Sequence, residues 1–505
     1  MTMNEYLTIS GKKVSFDSKH GSEIYRRSLV VLLQTAVNEL YRDIKLRIGQ
    51  TLMNGYYFER ACGSHFPPDF IERVTDKMKE IVKRDEKFEK RRVPKERAAE
   101  LFREAGRDDK LRAVSFLSGE TVELVWLRGY FDLVVAECIA SAGFLGVFRL
   151  LPYNSGIIMQ LPRRNPVMTL PGTENRQEKL YEVYLEARRW GEILGVTCAP
   201  DLNRAVSDGA ISTLIKVQEA MHEKKIAAIA DRIKGLHPVK RLVFVAGPSA
   251  SGKTTFIKRL GIQLRVNGLS PVEISLDDYF VPREKTPRKP SGELDFECLE
   301  ALDTGFFSKQ ITELLRGREI TLPRFDFKSG RRKKSGKKLK LDGGSLVIVE
   351  GIHALNPDLC GGIPEEIKFR IFVSALTQLR IDNDTRIFTS DSRLMRRVIR
   401  DSLFRGYNAF ESIKRFPLVR EGEDSYVFPF QDRADVFFNS SLIYEQAVLK
   451  PFLAERLRGM ESGGLEDLEA RRLLNYLDFF LAIPPTDVPQ TSILREFIGE
   501  SGFNY

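Results

Sequence analysis

Cysteine is scarce in this chain, and long apolar runs are missing. The five cysteines lie far apart and include no Cys-x-x-Cys pair, so neither a disulfide framework nor a zinc site is expected. They are Cys62, Cys138, Cys198, Cys298 and Cys360. No apolar run approaches the length of a membrane span, and the first residues lack the pattern of a secretory signal. These absences together predict a cytoplasmic protein.

The composition is that of an ordinary globular protein with an excess of positive charge. Hydrophobic residues make up 42% and charged residues 29% of the chain. A length of 505 residues exceeds what one hydrophobic core usually serves, so two or more domains are expected. The net charge of +10 favours anionic partners, which nucleotide phosphates already satisfy. Charge alone is weak evidence for a nucleic-acid partner.

A glycine-bounded loop stands between an apolar run, Leu242–Ala246, and an amphipathic segment that begins at Phe256. Strand, glycine turn and helix in this order are typical of a phosphate-binding loop, in which backbone N–H groups and the helix dipole hold phosphate. Lys253 is expected to reach the β- and γ-phosphates of ATP, and the Thr254 hydroxyl to bind Mg²⁺. The predicted nucleotide-binding residues are Gly247, Pro248, Ser249, Ala250, Ser251, Gly252, Lys253, Thr254 and Thr255.

Carboxylates follow two further apolar runs. Asp277 and Asp278 come after Val272–Leu276, and Glu350 comes after Ser345–Val349. In open α/β sheets ligands bind beyond the carboxyl ends of the strands, so these side chains are expected to face the phosphate loop. Thr254, Asp277 and Glu350 are the predicted Mg²⁺ ligands. Asp278 is expected to cap the following turn.

Together with other motifs, these segments resemble the uridine kinase and phosphoribulokinase family over about residues 240 to 450. The motifs are Gly247–Thr255, Ser275–Phe280, Asp295–Glu297, Pro323–Phe327, Val347–Ile352, Arg393–Asp401, Arg405-Gly406 and Ala434–Val436. The resemblance implies an α/β fold of the P-loop type, a parallel sheet with flanking helices. It also implies ATP- and Mg²⁺-dependent phosphoryl transfer to a hydroxyl group of a small molecule, a nucleoside or a related sugar.

The same resemblance assigns roles to individual residues. Asp277 takes the place of the catalytic aspartate beside the acceptor hydroxyl. The other implied roles are phosphate contact for Lys253, a phosphate-embracing lid for Arg400 and Arg405, and substrate binding for Tyr279, Glu297, Phe325 and Arg397. Glu297, Phe325 and Gly330 replace the aspartate, tyrosine and histidine of uridine kinases, and this loss of polar groups puts uridine specificity in doubt. Arg393 and Arg396 are expected on a solvated helix face.

The N-terminal part resembles the editing domain of threonyl-tRNA synthetases, an α+β domain, over about residues 20 to 195. The residues that carry this are Leu46–Gly49, Asn54–Phe58, His65-Phe66, Lys83–Glu86, Ala98–Phe102, Phe131–Leu133 and Phe148–Leu151. Arg27, Val31, Val134 and Cys138 stand where that family has its editing residues. Valines and an arginine cannot replace imidazole and thiolate chemistry, so editing activity is expected to be lost. RNA contact, substrate gating and scaffolding stay open.

These observations predict four parts: 1–195 synthetase-like, 196–238 a helical connector, 239–450 the kinase domain and 451–505 a helical extension. His222, on the connector, is expected to be a solvated helix residue. The basic stretch Lys328–Lys340 reads as an exposed hairpin tip, either a plain solvated loop or an attractor of anionic substrate.

Two functions of other classes compete with the kinase. A GTPase switch needs an Asn/Thr-Lys-x-Asp motif to read guanine, and the chain contains no Asn-Lys or Thr-Lys pair. An RNA- or tRNA-binding protein regulated by ATP is the remaining alternative, and steeply salt-dependent tRNA binding would favour it.

Overall fold

The computed structural model describes residues 5–63, 65–164, 167–289, 292–326, 329–377, 379–460 and 464–504, without the side chains of Lys334, Ser335 and Cys360. Contacts divide the chain into two compact units, neither of which is one continuous stretch. Unit 1 comprises Met1–Ile211, Thr377–Phe388 and Gln446–Ile483; unit 2 comprises Ser212–Leu376, Thr389–Glu445 and Pro484–Tyr505. The four-part division expected from sequence resemblance stays a prediction.

Unit 1 is an α+β structure built around the buried helix α1. Its strands form a four-stranded sheet in the order β3-β4-β9-β8, a three-stranded sheet β5-β6-β7 and a small β1-β2 hairpin. The elements up to residue 207 are β1 Glu5–Leu7, β2 Lys13–Ser15, α1 Lys19–Leu40, β3 Leu46–Leu52, β4 Gly55–Arg60, α2 Phe70–Lys83, β5 Phe88–Pro94, α3 Lys95–Glu104, α4 Asp108–Phe116, β6 Thr121–Leu127, β7 Tyr130–Leu133, β8 Arg149–Tyr153, β9 Gly156–Gln160, α5 Glu178–Leu194 and α6 Ala199–Ser207. Apolar residues at helical spacing on α1, such as Leu29, Leu32 and Leu33, are fully buried and form the centre of this core.

Unit 2 contains a five-stranded sheet in the order β11-β14-β10-β15-β16, in which every pair is parallel. The elements are α7 Ile211–Leu236, β10 Leu242–Ala246, α8 Lys253–Val266, β11 Ser270–Ser275, α9 Thr304–Leu315, β12 Ile320–Asp326, β13 Arg331–Leu339, β14 Ser345–Glu350, β15 Lys368–Ser374, α10 Thr389–Phe404, α11 Ala409–Tyr426 and β16 Val436–Asn439; α12 Glu445–Leu457 and α13 Leu465–Leu477 follow, and α14 Arg495–Ile498 returns to this unit. Every residue of β10 is buried, as expected for a central parallel strand.

Strand register brings three predicted site segments to one edge of the sheet. Glu350 pairs with Ser275 on β11 and with Val245 on β10, so the three strands end side by side. The phosphate loop and the Asp277 turn begin at these ends. The predicted P-loop fold with a parallel sheet is confirmed.

The basic stretch forms a strand and not only a hairpin tip. β13 pairs with β12 in an antiparallel ribbon, and the turn lies at Ser329 and Gly330. Lys328, together with Phe327, lies outside the described residues. Arg332, Lys333 and Lys338 have carboxylate partners at 3.1, 2.5 and 2.8 Å. Three of the basic side chains in this stretch are therefore already paired with carboxylates.

His222 is buried, so the expectation of a solvated histidine is wrong. Its side chain is 0% exposed, and its ring lies 5.2 Å from that of Phe438 on β16. Burial first, and then Arg259, lowers the pKa of His222 to about 3. The apolar face of α7 that packs against the sheet places it there. Among the described helices, none is long and apolar enough to cross a membrane.

Candidate active site

The phosphate loop is a compact turn between β10 and α8. Ala250 and Gly252 both have positive φ angles, of 58° and 83°. A side chain at Gly247 would place its Cβ 2.0 Å from the carbonyl oxygen of Val373, so only glycine fits there. Lys253 donates hydrogen bonds from Nζ to the carbonyl oxygens of Gly247 and Pro248, at 2.7 and 3.1 Å. The Lys253 side chain thus folds back over the phosphate loop and bonds its backbone.

Two buried arginines of α10 hold the loop in place. Arg393 donates from Nε to the carbonyl oxygen of Ser249 at 2.8 Å and pairs with Glu423, which accepts the Ser249 N–H at 2.8 Å. Arg396 donates to the carbonyl oxygen of Ala250 at 3.5 Å and pairs with Glu445 at 2.6 Å, and the side chains of Arg396 and Glu445 are both 0% exposed. The expectation that these two arginines are solvated is wrong. Their carboxylate partners offset the desolvation cost of burying the two guanidinium charges.

The predicted carboxylates gather around Lys253. Burial raises the pKa of Glu350 to about 7; Asp277 adds to this rise and Lys253 opposes it. The Asp277 side chain is exposed to solvent. Partial desolvation by the protein atoms around it nevertheless raises its pKa, and the positive charges of Lys253 and Arg405 oppose this rise. A cleft of 460 Å³ beside these groups is lined by Thr254, Asp278, Tyr279, Arg324, Lys337 and Glu350.

This donor set fits a magnesium ion. Mg²⁺ prefers oxygen ligands, and here a hydroxyl comes from the first turn of α8 and two carboxylates from the ends of the adjacent strands β11 and β14. A cation would also compensate the negative charge through which Asp277 raises the pKa of Glu350. Thr254, Asp277 and Glu350 are therefore the residues that would hold it.

The predicted lid arginines Arg400 and Arg405 both contact one acidic residue, Asp401, to which the sequence motifs assign no role. Asp401 is 1% exposed, and its carboxylate oxygens lie 3.2 Å from Arg397, 2.8 Å from Arg400 and 3.7 Å from Arg405. Burial lowers the pKa of Arg405, and the negative charge of Asp277 is one of the groups that oppose this effect. Asp401 thus tethers three guanidinium groups, and one of them is close enough to Asp277 to interact electrostatically.

The predicted substrate-binding residues fall into two groups. Burial, and then Glu423, raises the pKa of Glu297 to about 7, while Arg397 opposes the rise. Arg397 also donates to the Ser249 hydroxyl at 3.1 Å, so it lies beside the phosphate loop, and Glu297 is close enough to Arg397 to interact with it electrostatically.

The two aromatic residues predicted to bind substrate, Tyr279 and Phe325, are buried against the protein. Tyr279 is fully buried, and its hydroxyl donates to Gln310 at 2.7 Å. Phe325 is 6% exposed, and its backbone N–H donates to Asp278 at 3.1 Å. Asp278 therefore binds the neighbouring strand β12, and the expected cap of its own turn is not what the structure shows. The Tyr279 hydroxyl is already engaged by protein, so its role toward a substrate stays a prediction.

Glu496 is a second acidic residue without a signal in the sequence. It lies on α14, and its Oε2 accepts hydrogen bonds from the backbone N–H of Thr255 at 3.1 Å and from the Thr255 hydroxyl at 2.8 Å. No recognisable motif surrounds Glu496 in the tail of the chain. Its contact with the first turn of α8 emerges only from the fold.

The four residues that stand at the editing positions lie in or beside the core of unit 1. Arg27 donates to the carbonyl oxygen of Leu133 at 2.8 Å, and Val31 is buried in the core. Val134 packs against the same core, and burial raises the pKa of the Cys138 thiol. A cavity of only 70 Å³ remains here; Arg27 and Val31 line it together with residues from distant parts of the chain: Thr385, Arg386, Phe388, Arg472 and Tyr476.

Next to this cavity, a buried lysine joins the segment 377–388 to the rest of unit 1. Lys110 is fully buried, and its Nζ contacts Asp132, lies 2.7 Å from Asp382 and lies 3.3 Å from Asp384. Asp109, Asp382 and Asp384 could by spacing hold a metal ion. The ammonium group of Lys110 already supplies the compensating positive charge, so the cluster is a salt-bridge network.

Comparison with known proteins agrees with both halves of this description. Residues 242–442 match the model of the phosphoribulokinase / uridine kinase family. The threonine–tRNA ligase of Syntrophotalea carbinolica is 32% identical over 148 residues, which are 28% of this chain and 23% of the ligase. That of Acidithiobacillus ferrooxidans is 30% identical over 175 residues, 34% of this chain and 27% of the ligase. The chain thus spans about a quarter of the length of these relatives.

Among solved structures, one described as a possible uridine kinase from Bacillus stearothermophilus matches with a TM-score of 0.30 and 20% identity. The match covers 43% of this chain and 98% of that one. The family match makes residues 242–442 a kinase-family domain of the P-loop type, joined in one chain to a region similar to threonine–tRNA ligases. This is the fusion that the motifs predicted.

Proposed function

We propose that this protein transfers the γ-phosphoryl group of ATP, with Mg²⁺, to a hydroxyl group of a nucleoside or related sugar. The observation that carries the proposal is the position of Asp277, which interacts electrostatically both with Lys253 of the phosphate loop and with Arg405 of the arginine group. A carboxylate that interacts with both a phosphate-binding lysine and a lid arginine is where an acceptor hydroxyl can be deprotonated. The family match of residues 242–442 supports the same reaction class.

In this proposal each residue has a separate task. Lys253 and the loop N–H groups bind the phosphates of ATP, and Arg400 and Arg405, tethered by Asp401, add planar donors for phosphate oxygens. Asp277 accepts the proton of the acceptor hydroxyl while the oxygen attacks the γ-phosphorus and the bond to ADP breaks. The rise in the pKa of Asp277 from its usual value makes it a stronger base. Bound Mg²⁺ would neutralise phosphate charge.

The acceptor is less well defined than the phosphate site. Glu297 and Arg397 supply a carboxylate and a guanidinium beside the loop, whereas Phe325 offers only an apolar ring. Such a site favours a ligand with several hydroxyl groups. It does not favour a pyrimidine in particular, because Gly330, which replaces the pyrimidine-binding histidine of uridine kinases, has no side chain. The group of nucleosides and sugars is therefore the set to test.

The test is an ADP-release screen over nucleosides, sugars and sugar phosphates with the full chain. Lys253→Ala should abolish transfer, because it removes the ammonium group at the loop, and Thr254→Ala should do the same by removing the predicted Mg²⁺ ligand. Arg265→Ala, an exposed change at the other end of α8, is the matched control and should keep wild-type turnover. ADP release by folded Lys253→Ala at the wild-type rate, or no release with any acceptor, would refute the proposal.

A further inference from the structure

The segment after residue 483 is a packed part of unit 2 that reaches the phosphate loop. Ile493 and Phe497 are fully buried in the core that also contains α8. A Cβ at Gly252 would lie 2.5 Å from the Ile493 side chain, and the Arg396 guanidinium lies over the Phe497 ring at 5.0 Å. This segment is therefore held against the loop by apolar contacts on both sides of Glu496.

Glu496 binds donors that a phosphate loop normally offers to its ligand. Thr255 is the third residue of α8, and the first hydrogen bond of the helix runs from the N–H of Phe256 to Gly252. The N–H of Thr255 thus belongs to the first turn, where N–H groups have no acceptor within the helix and bind anions. Glu496 accepts this N–H and the Thr255 hydroxyl through one carboxylate oxygen. A carboxylate oxygen in this position carries the same charge and accepts the same bonds as a phosphate oxygen.

The charges around Lys253 point the same way. Glu350, Asp277 and Glu496 are the carboxylates close enough to interact electrostatically with the Lys253 ammonium group. Arg393 is the cation that opposes them. Three carboxylates around one ammonium group leave little positive potential for an incoming polyphosphate while Glu496 stays in place.

We propose that Glu496 is a built-in competitor of the nucleotide: its carboxylate holds the Thr255 donors until a nucleoside phosphate displaces it. The inference rests on the proposed use of ATP. Ile493, Leu494, Phe497 and Ile498 are buried, whereas Glu496 is half-buried. Displacement therefore needs only a rotation of the Glu496 side chain, and the backbone of the segment stays packed. Glu496 then sets the affinity of the site for nucleotide.

The experiment is calorimetric titration with ADP, without an acceptor, of wild type, Glu496→Gln and Glu496→Ala. Gln retains an oxygen that accepts from Thr255 but has no charge, so the fold should persist while ADP binds about tenfold more tightly. Ala removes the competitor altogether and should bind ADP at least as tightly as Gln does. Glu500→Gln is the control: its carboxylate pairs with Arg495 at 3.0 Å and is 81% exposed, and ADP affinity should not change.

The outcomes separate this inference from the proposed function. If all four proteins bind ADP with equal affinity, or Glu496→Gln binds more weakly, Glu496 does not compete and only the inference fails. If none of the folded proteins binds ADP, the proposed function fails and the inference fails with it. A thermal melt without ADP gives a second reading: Glu496→Ala should melt lower than wild type and gain more from added ADP.

Discussion

Arg393 and Glu423 form an ion pair in which both side chains are 0% exposed, and both also bond the backbone of Ser249. Desolvating two charges offsets most of the attraction between them, so such a pair contributes little net stability by itself. What it does fix is the position of a loop residue through its N–H and its carbonyl group at once. The phosphate loop is thus supported from α10 and α11 as well as from its own glycines.

Arg393→Met should destabilise the protein by about 3 kcal/mol, because Glu423 stays buried without its closest cation and the ion pair with Arg420, at 3.6 Å, is a weaker substitute. Arg415→Met, an exposed change on α11, should stay within about 0.5 kcal/mol of wild type. Urea denaturation of the three proteins measures the difference. Equal stability of the two variants would mean that the buried pair does not support the fold.

Asp277→Asn should lower turnover by about two to four orders of magnitude, because the amide cannot accept the acceptor proton. ADP affinity should change little. Asp278→Asn should be much milder, since an amide oxygen can still accept the Phe325 N–H that Asp278 accepts at 3.1 Å. Turnover and ADP binding are measured on both variants with the acceptor found in the screen. Equal losses of turnover in the two variants, or a loss confined to Asp278→Asn, would mean that Asp277 is not the catalytic base.

Lys110→Met should destabilise unit 1 by about 3–5 kcal/mol, because three buried carboxylates then lose their shared cation. Lys79→Met, an exposed change on α2, serves as the control and should be nearly neutral. Thermal and urea denaturation provide the readout. A Lys110→Met protein as stable as the control would show that the network contributes no net stability.

Stability should fall in mild acid through His222. The folded pKa is about 3 against an ordinary 6.5, so between these values the unfolded chain binds a proton that the folded protein excludes. Unfolding becomes easier as pH drops below 6.5, and this one group accounts for about 2 kcal/mol at pH 5. His222→Gln removes the titration, so its stability should fall less between pH 7.5 and pH 5 in urea denaturation. Identical losses in both proteins would contradict the buried neutral histidine.

The full chain should not hydrolyse mischarged threonine tRNA. Arg27 bonds a backbone carbonyl, Val31 is buried, and burial raises the pKa of the Cys138 thiol, so the residues aligned with the editing positions offer neither an imidazole nor a thiolate. Deacylation is measured with a threonine–tRNA ligase as positive control. Hydrolysis above the spontaneous rate would refute the loss of editing. The same tRNA, titrated at two salt concentrations, tests the alternative of an RNA-binding protein.

The sequence was informative where the chemistry is local. The strand before Gly247, the loop itself and the carboxylates at Asp277 and Glu350 could be predicted, because strand, turn and helix signals lie within a few residues of each other. The burial of Arg393 and Arg396 could not be predicted, since their partners Glu423 and Glu445 lie 30 and 49 residues away. A charged residue on an amphipathic helix looks solvated until its partner is known.

Longer separations hid more of the site. Glu496 reaches Thr255 across 241 residues, from a tail without a motif. The segment 377–388 lies inside the kinase-like sequence, and nothing in its composition indicates that it packs with unit 1. Buried charges paired over such distances leave no periodic pattern to read.

Because unit 1 is assembled from three stretches of the chain, it cannot be completed early in synthesis. Lys110 needs Asp382, and Lys19 pairs with Glu469 at 3.0 Å, so the first 211 residues leave the ribosome before these partners exist. Unit 2 likewise waits for the stretch after residue 483. Domains usually fold one after another as they emerge. Here the nascent chain carries an incomplete unit 1 core, in which Lys110 has Asp132 but neither Asp382 nor Asp384 as a partner, and this core is complete only once Gln446–Ile483 has been added.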